Sequence, residues 1–269
     1  MKAAQLINYG GQDAIKTNKD VTKPSVGPDQ VLVEVHAAGL NPFDWKVREG
    51  YMQEFIPIEL PATLGGDVAG VVAEIGENVT GFEVGQEVYG MANSVGGQGS
   101  YAEFTAVPAK QLVSKPTTID FVEAGALPLA AVSAYQALVD HMNLQAGQKI
   151  LIHGGAGGIG SLAIQIAKNV GAYVATTASA KEAEYVKLLG ADEVIDYESQ
   201  DFSALLKDYD AVFDTVGGET NAKSYAVLKD GSAFVSMGDP ANEELVTAHE
   251  IKYFQQSSQP TVERLTRIA

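Results

Sequence analysis

The sequence predicts an α/β protein: a β-rich barrel or sandwich, then a doubly wound parallel sheet. Three observations carry this. Up to about residue 123, short apolar runs are cut at close intervals by Pro24, Gly27, Pro28, Gly39, Pro42, Gly65, Gly66, Gly76 and Gly81, the pattern of many short strands joined by turns. From residue 124 the runs alternate with segments of helical period, which implies parallel strands with crossover helices. The 269 residues, at about 150 per domain, suggest two domains, here residues 1–123 and 124–269.

Val31–Val35 alternates as a half-buried strand, Val68–Ile75 is a nearly unbroken apolar run, and Gly85–Tyr89 opens another. Val122–Val139 has helical spacing interrupted at Pro128. Lys149–His153 reads as a short buried strand. Ile159, Leu162, Ala163, Ile166, Ala167 and Val170 then recur on one helical face, which Gly171 ends. Tyr173–Thr177 is the next strand and Lys181–Leu189 a helix before Gly190. Glu193–Asp196, Ala211–Asp214, Ala233–Met237 and Glu250–Gln255 are further strands, the last with the alternation of an edge. Thr261–Ala269 reads as a helix without a closing cap.

Composition excludes several classes of function. Eighteen Lys and Arg against 34 Asp and Glu leave a net charge of −16, which disfavours nucleic acid and anionic membrane as partners. With no cysteine, disulfides, thiolate metal sites and a thiol nucleophile are ruled out. The N-terminus shows no apolar targeting core and no run reaches a membrane span, so a soluble cytoplasmic protein is expected.

His153–Gly160 reads HGGAGGIG. Gly155, Gly157 and Gly160 form a GxGxxG between a predicted strand and a predicted helix, the setting of a dinucleotide site. Gly155 is assigned the tight turn, Gly157 the close approach to a pyrophosphate, and Gly160 the packing of helix on strand; Ala156, Gly158 and Ile159 complete the loop. An NAD site usually carries an acidic residue at the end of the following strand. Here Thr177, Ser179 and Lys181 stand there instead, donors suited to the 2′-phosphate of NADPH. The plainer reading of Lys181 is a solvated side chain in a helix's first turn. Val216, Met237 and Gly238 end strands on the carboxyl edge, where cofactors lie in open α/β sheets.

Leu127–Leu138 (LPLAAVSAYQAL), Lys149–Lys168, Leu189–Tyr197 (LGADEVIDY) and Asp210–Gly218 (DAVFDTVGG) together resemble the medium-chain dehydrogenase/reductase superfamily, in its zinc-free quinone oxidoreductase branch. The resemblance implies a GroES-like β-barrel followed by a Rossmann domain, with a further return segment completing the first. It implies an NADPH-dependent enzyme that delivers a hydride to a quinone or an α,β-unsaturated carbonyl, and a homodimer. An NADPH-binding protein with little turnover is the alternative. Zinc-dependent members carry Cys near Asn41 and a GHE motif; Gly66 and Asp67 replace the His and Glu here. His36, His141, His153 and His249 are scattered, as packing or surface residues would be. The resemblance points to Asn41, Asp44 and Tyr51 as catalytic candidates, and to Ser133 and Tyr197 as cofactor contacts. Helix capping by Asp44 and ordinary packing by Tyr51 are the simpler roles.

Overall fold

A computed structural model describes Met1–Ala269, and the chain divides into two compact units, Met1–Val132 with Pro260–Ala269 and Ser133–Gln259. The first unit holds β1 (Ala3–Leu6), β2 (Ile15–Asn18), β3 (Gln30–Ala37), α1 (Pro42–Glu49), β4 (Ala62–Thr63), β5 (Asp67–Ile75), β6 (Glu87–Met91), β7 (Phe104–Pro108), β8 (Leu112–Ser114), α2 (Phe121–Ala126) and the start of α3 (Pro128–Tyr135). Its strands form an antiparallel five-stranded sheet ordered β7-β3-β5-β6-β8 and a three-stranded one ordered β2-β1-β4. Val31 and Val33 on β3 meet Val68 and Val72 on β5 with Val88, Val107 and Leu112 in one core.

The second unit continues with a π-helical stretch, Gln136–His141, that prolongs α3. It then has β9 (Lys149–Ile152), α4 (Gly158–Val170), β10 (Tyr173–Ala178), α5 (Ala183–Leu188), β11 (Glu193–Asp196), α6 (Phe202–Leu205), β12 (Tyr209–Asp214), α7 (Glu219–Ser224), β13 (Leu228–Ser236), α8 (Glu243–Ala248) and β14 (Lys252–Gln255). All six strands are parallel and ordered β11-β10-β9-β12-β13-β14. Strand order reverses between β9 and β12, so the loop after β9 lies at the topological switch point. Ile150 and Ile152 on one face of β9, and Leu151 on the other, are buried under separate clusters, as expected of a strand covered on both sides.

The expected boundary at 123/124 moves to Val132/Ser133 because Val132 packs with Ala69, Tyr89 and Ala124 in the first unit's core. Residues 260–269, expected in the second domain, also join the first unit. Their helix α9 (Val262–Ile268) buries Leu265 fully in that core, and the Tyr89 hydroxyl donates to the Leu265 carbonyl at 2.6 Å. Lys181 lies in a 3-10 turn (Ala180–Glu182), so α5 starts two residues after it rather than at it.

Candidate functional site

In the second unit the site is built on the glycine loop. Gly154, not Gly155, takes the left-handed turn, with φ of +70°. The turn falls there because His153 still hydrogen-bonds as a strand residue, its N–H on the Phe213 carbonyl. Gly155 is needed for another reason: a Cβ on it would stand 2.0 Å from Thr176 Oγ1. A Cβ on Gly160 would stand 2.1 Å from the Gly154 carbonyl oxygen. At Gly157, the N-cap of α4, the nearest atom would be that oxygen at 3.2 Å, and the position opens onto the cavity. Ser161 N–H bonds Gly157 O. The N–H groups of Gly158, Ile159 and Gly160 find no acceptor in the chain, and no side chain caps the helix. Three free donors at a positive helix end form an anion cradle.

The cradle adjoins a cavity of about 900 Å³ whose lining includes His153, Gly154, Ala156, Gly157, Thr177, Glu182, Tyr197, Val216 and Lys223. Tyr197 is 60 % exposed and Val216 61 %, so both are available to a ligand there. A dinucleotide fits this donor set: two glycine positions admit no side chain, the third leaves an approach, and the helix terminus is unpaired.

A fully buried histidine braces the loop, a feature sequence reading set aside as packing. His153 Nε2 lies 3.0 Å from Ser224 Oγ and Nδ1 lies 3.2 Å from Thr177 Oγ1. Ser224 spends its proton on the Thr220 carbonyl at 2.7 Å, so it accepts from Nε2–H. Nδ1 is then the acceptor of the Thr177 hydroxyl, whose oxygen accepts Gly154 N–H at 3.1 Å. With a neutral ring every proton of the relay has an acceptor, and burial pushes His153 down to about 4, against the opposing pull of Asp214. Thr177 was expected to serve a 2′-phosphate; its one proton is already committed to His153. Ser179 Oγ donates to Glu182 at 2.8 Å, and Lys181 is exposed outside the cavity lining. Glu182, which lines the cavity, had no assigned role. Lys223, the one cation in the lining, is paired with Glu219 at 2.7 Å and Asp201 at 4.0 Å.

Other expected contacts are placed elsewhere. Ser133 is fully buried, its hydroxyl 2.6 Å from Ser258 Oγ and its carbonyl accepting from Gln256. Met237 is half-buried against the core that holds Ile159, and accepts from Gln256 Nε2 at 3.5 Å. Gly238 N–H bonds Ser236 Oγ.

In the first unit, Asn41 and Asp44 come together. Asn41 is the N-cap of α1, with Pro42 following, and its N–H donates to Asp44 Oδ2 at 2.8 Å. Asp44 thus orders the loop. The same oxygen accepts the Tyr101 hydroxyl at 2.9 Å, and the Asn41 amide donates to Asp67 Oδ2 at 2.9 Å. Burial raises the Asp44 carboxyl and the two hydrogen bonds hold it back; burial and the facing carboxylates drive the Tyr101 phenol far up. Tyr51 is 66 % exposed and stacks edge-on against Trp45 at 5.8 Å, with no bond to this cluster. Tyr101 escaped sequence reading, and Asp67 entered it only as what stands in place of the Glu of the GHE motif; the one further signal was an acid inside the apolar run LGGDVAG. No group of three or more His, Cys, Asp or Glu is placed to hold a metal ion, so the residues present do not fit a zinc site.

The two units are thus an antiparallel β unit and a six-stranded parallel sheet that carries its glycine loop at the switch point. Residues 27–117 match the alcohol dehydrogenase GroES-like domain and residues 158–259 the domain described as zinc-binding dehydrogenase. The chain is 38 % identical to a chloroplast envelope quinone oxidoreductase homolog of Arabidopsis thaliana, over 81 % of itself and 69 % of that protein. It is 42 % identical to the NADPH-dependent alkenal/one oxidoreductase, chloroplastic, of the same plant, over 88 % of itself and 62 % of that relative. The solved quinone oxidoreductase of Coxiella burnetii superposes with a TM-score of 0.90 at 33 % identity, covering 100 % of this chain and 86 % of that one. The chain belongs to the medium-chain dehydrogenase/reductase superfamily, in its quinone oxidoreductase branch. It spans about three fifths of the length of some curated relatives, 61 % and 62 % in two cases.

Proposed function

We propose that this chain is an NADPH-dependent reductase acting on a quinone or on the C=C bond of an α,β-unsaturated carbonyl, without a metal ion. The observation that carries it is the unpaired first turn of α4 beside a dinucleotide-sized cavity at the switch point of a parallel sheet. When bound, NADPH supplies a hydride. The chain's own part is to hold the pyrophosphate on the Gly158–Gly160 N–H groups, to seat the adenosine half along Tyr197 and Val216, and to offer the Asn41 carboxamide as a polar contact. Asp44 keeps the Asn41 backbone in place. An electron-poor conjugated acceptor suits a site with no Lewis acid, because its oxygen takes up charge that one amide hydrogen bond can stabilise. The names of the two plant relatives support both substrate classes. The test is NADPH oxidation with 9,10-phenanthrenequinone and with an alkenal. Turnover with either supports the reading; tight NADPH binding without turnover overturns it in favour of a binding protein. A chelator is expected to leave the rate unchanged, and loss of turnover on zinc removal would contradict metal independence.

Cofactor choice rests on Ser179 and Lys181 at the end of β10, opposed by Glu182. Lys181→Ala is expected to weaken NADPH binding about tenfold, the loss of one charge-assisted contact near 1.5 kcal/mol, and to leave NADH unchanged. Glu182→Gln removes a carboxylate from a cavity whose only cation is engaged, and is expected to tighten NADPH about tenfold over NADH. Titrations of both cofactors check this. Equal NADPH and NADH affinity in the parent would contradict it.

We also propose a homodimer through the open edge of β14 and a cytoplasmic location. No helix is long and apolar enough to cross a membrane. β14 bonds only β13 within its sheet. Gln256 N–H points to Ser236 O, so strand alternation turns the Tyr253 and Gln255 N–H groups to the open side, where a second chain can pair. Ile251, expected on the exposed edge, is buried in the core. The Tyr253 phenol is held by Asp239 O at 2.8 Å, so the cleaner probe is Gln255→Pro, which deletes an outward donor. Light scattering is expected to show a parent dimer and a monomeric variant. A monomeric parent at micromolar concentration would refute the dimer, and fractionation of cells tests the location.

A further inference from the structure

Asp67 lies beneath Asn41 with no part in the reading above. It opens β5, is fully buried and joins no ion pair. Its two oxygens serve different donors: Oδ1 accepts Leu129 N–H from the first turn of α3 at 2.9 Å, and Oδ2 accepts Asn41 Nδ2–H at 2.9 Å. The space is shaped for it, since a Cβ on Gly39 would stand 2.9 Å from Oδ2 and 2.6 Å from the Gly125 carbonyl. The titratable groups that face it are Asp44 from α1 and the Tyr101 phenol from the segment before β7; β3, β6 and α2, packed on β5, bring no charged side chain to it. Asp44 is raised by its own burial, which the bonds from Asn41 N–H and Tyr101 to its Oδ2 only partly offset.

An ionised carboxylate only accepts, whereas a protonated one has a single acceptor oxygen and one O–H donor. Leu129 N–H, fixed in a helix turn, keeps Oδ1 as the acceptor. A proton on Asp67 therefore sits on Oδ2, which must donate. Asn41 can meet it only by turning its carboxamide, a soft two-fold torsion, so that Oδ1 leaves the Asp44 N–H of the capping box for Asp67 and the NH2 faces away.

We propose that Asp67 is a positioning residue whose protonation state decides whether the Asn41 NH2 is held or released: spent on Asp67, with the amide oxygen turned to the Asp44 N–H of the capping box, when Asp67 is ionised, and offered to a ligand when Asp67 Oδ2 carries the proton. Burial, only partly offset by the Asn41 and Leu129 hydrogen bonds, pushes Asp67 up to about 7, so both forms are populated near neutrality. Resting on the reductase proposed above, the NH2 form is the one that donates to a substrate carbonyl as charge develops on its oxygen.

The test uses the full chain and two readouts. In Asp67→Asn, the new carbonyl keeps Leu129 N–H and the new NH2 holds Asn41 Oδ1, which fixes the NH2-out form. With an alkenal, kcat/KM of the parent is expected to fall about tenfold per pH unit above roughly 7, while Asp67→Asn stays flat from about pH 6 to 8.5. Independently of turnover, the side-chain amide ¹⁵N and ¹H resonances of Asn41 are expected to titrate with a midpoint near 7 in the parent and to be pH-independent in the variant. A pH profile shared by parent and variant, or an Asn41 amide that does not titrate in the parent, overturns the proposal. A titrating amide without turnover upholds the switch and counts against the reductase reading alone. The parent's amide titration decides the matter even where the variant fails to fold.

Discussion

Gly160→Ala is expected to weaken NADPH binding a hundredfold or more and to lower stability by about 1–3 kcal/mol, the range for overpacking a closed site. The new methyl would stand 2.1 Å from the Gly154 oxygen and 2.8 Å from both the Gly154 carbonyl carbon and Gly155 Cα. These are backbone atoms, so no side chain can swing aside; the loop or the first turn of α4 must move. Either movement takes the Gly158–Gly160 N–H groups away from the phosphate, and a misplaced cradle forfeits about 3 kcal/mol or more from two charge-assisted bonds, a hundredfold or more in affinity. Gly157→Ala separates the two effects. Its methyl would be 3.2 Å from one oxygen, so thermal stability should stay near the parent's while NADPH binding drops, because the methyl occupies the anion's approach. Gly11→Ala, with nothing within 4 Å and no left-handed backbone, is the control for both. Melting temperature and NADPH titration on the three variants make the check. Parent-like NADPH affinity in Gly160→Ala would show that the loop is not the binding site.

The parallel sheet and α4 were legible because their signal is local: Ile159, Ala163, Ile166 and Val170 repeat at helical spacing, and Gly171 ends the helix with φ of +91°. The division of labour among the glycines was not. Which of Gly154 and Gly155 turns left-handed depends on how far β9 pairs with β12, a contact some 60 residues away in sequence. Thr177 looked available because nothing near it in sequence claims its hydroxyl; the claimant is His153, on the neighbouring strand. Ser133 was read as a cofactor contact from its own segment; its hydroxyl lies 2.6 Å from Ser258 Oγ, 125 residues further on. In the first unit, the resemblance pointed to both Asn41 and Asp44, but with Asp44 as the cap; the cap is Asn41, and Asp44 closes the box from the third helical position. Asp67 reaches them only through sheet pairing, and its other partner, Leu129, is 62 residues further on. Short-range periodicity and capping carry information in sequence order, whereas the sharing of protons in a buried polar cluster is decided by tertiary contacts that spacing does not encode.

The same two buried groups make stability depend on pH in opposite senses. His153 is held near 4 in the folded chain against 6.5 for the free side chain. The unfolded chain therefore binds the extra proton between those values, and stability falls as pH drops from 6.5 to 4, by about 3 kcal/mol in full. Asp67, near 7 when folded against 3.8 when free, binds its proton more tightly in the folded chain. Its contribution is present at low pH and is lost as pH rises from 3.8 through 7, by about 4 kcal/mol. Across their shared window the two slopes oppose each other, each about 1.4 kcal/mol per pH unit. Removing either group should expose the other. The unfolding free energy of Asp67→Asn minus that of the parent is expected to grow with rising pH between about 4 and 7 and to level off outside. For His153→Gln, whose amide can still accept from Thr177 and donate to Ser224, the same difference should grow as pH falls from about 6.5 to 4. Denaturant titrations at half-unit pH steps give both curves. A pH-independent difference for Asp67→Asn would show that the carboxyl is ionised throughout, and one for His153→Gln would show that the imidazole charges inside the folded chain, breaking the relay that holds Gly154.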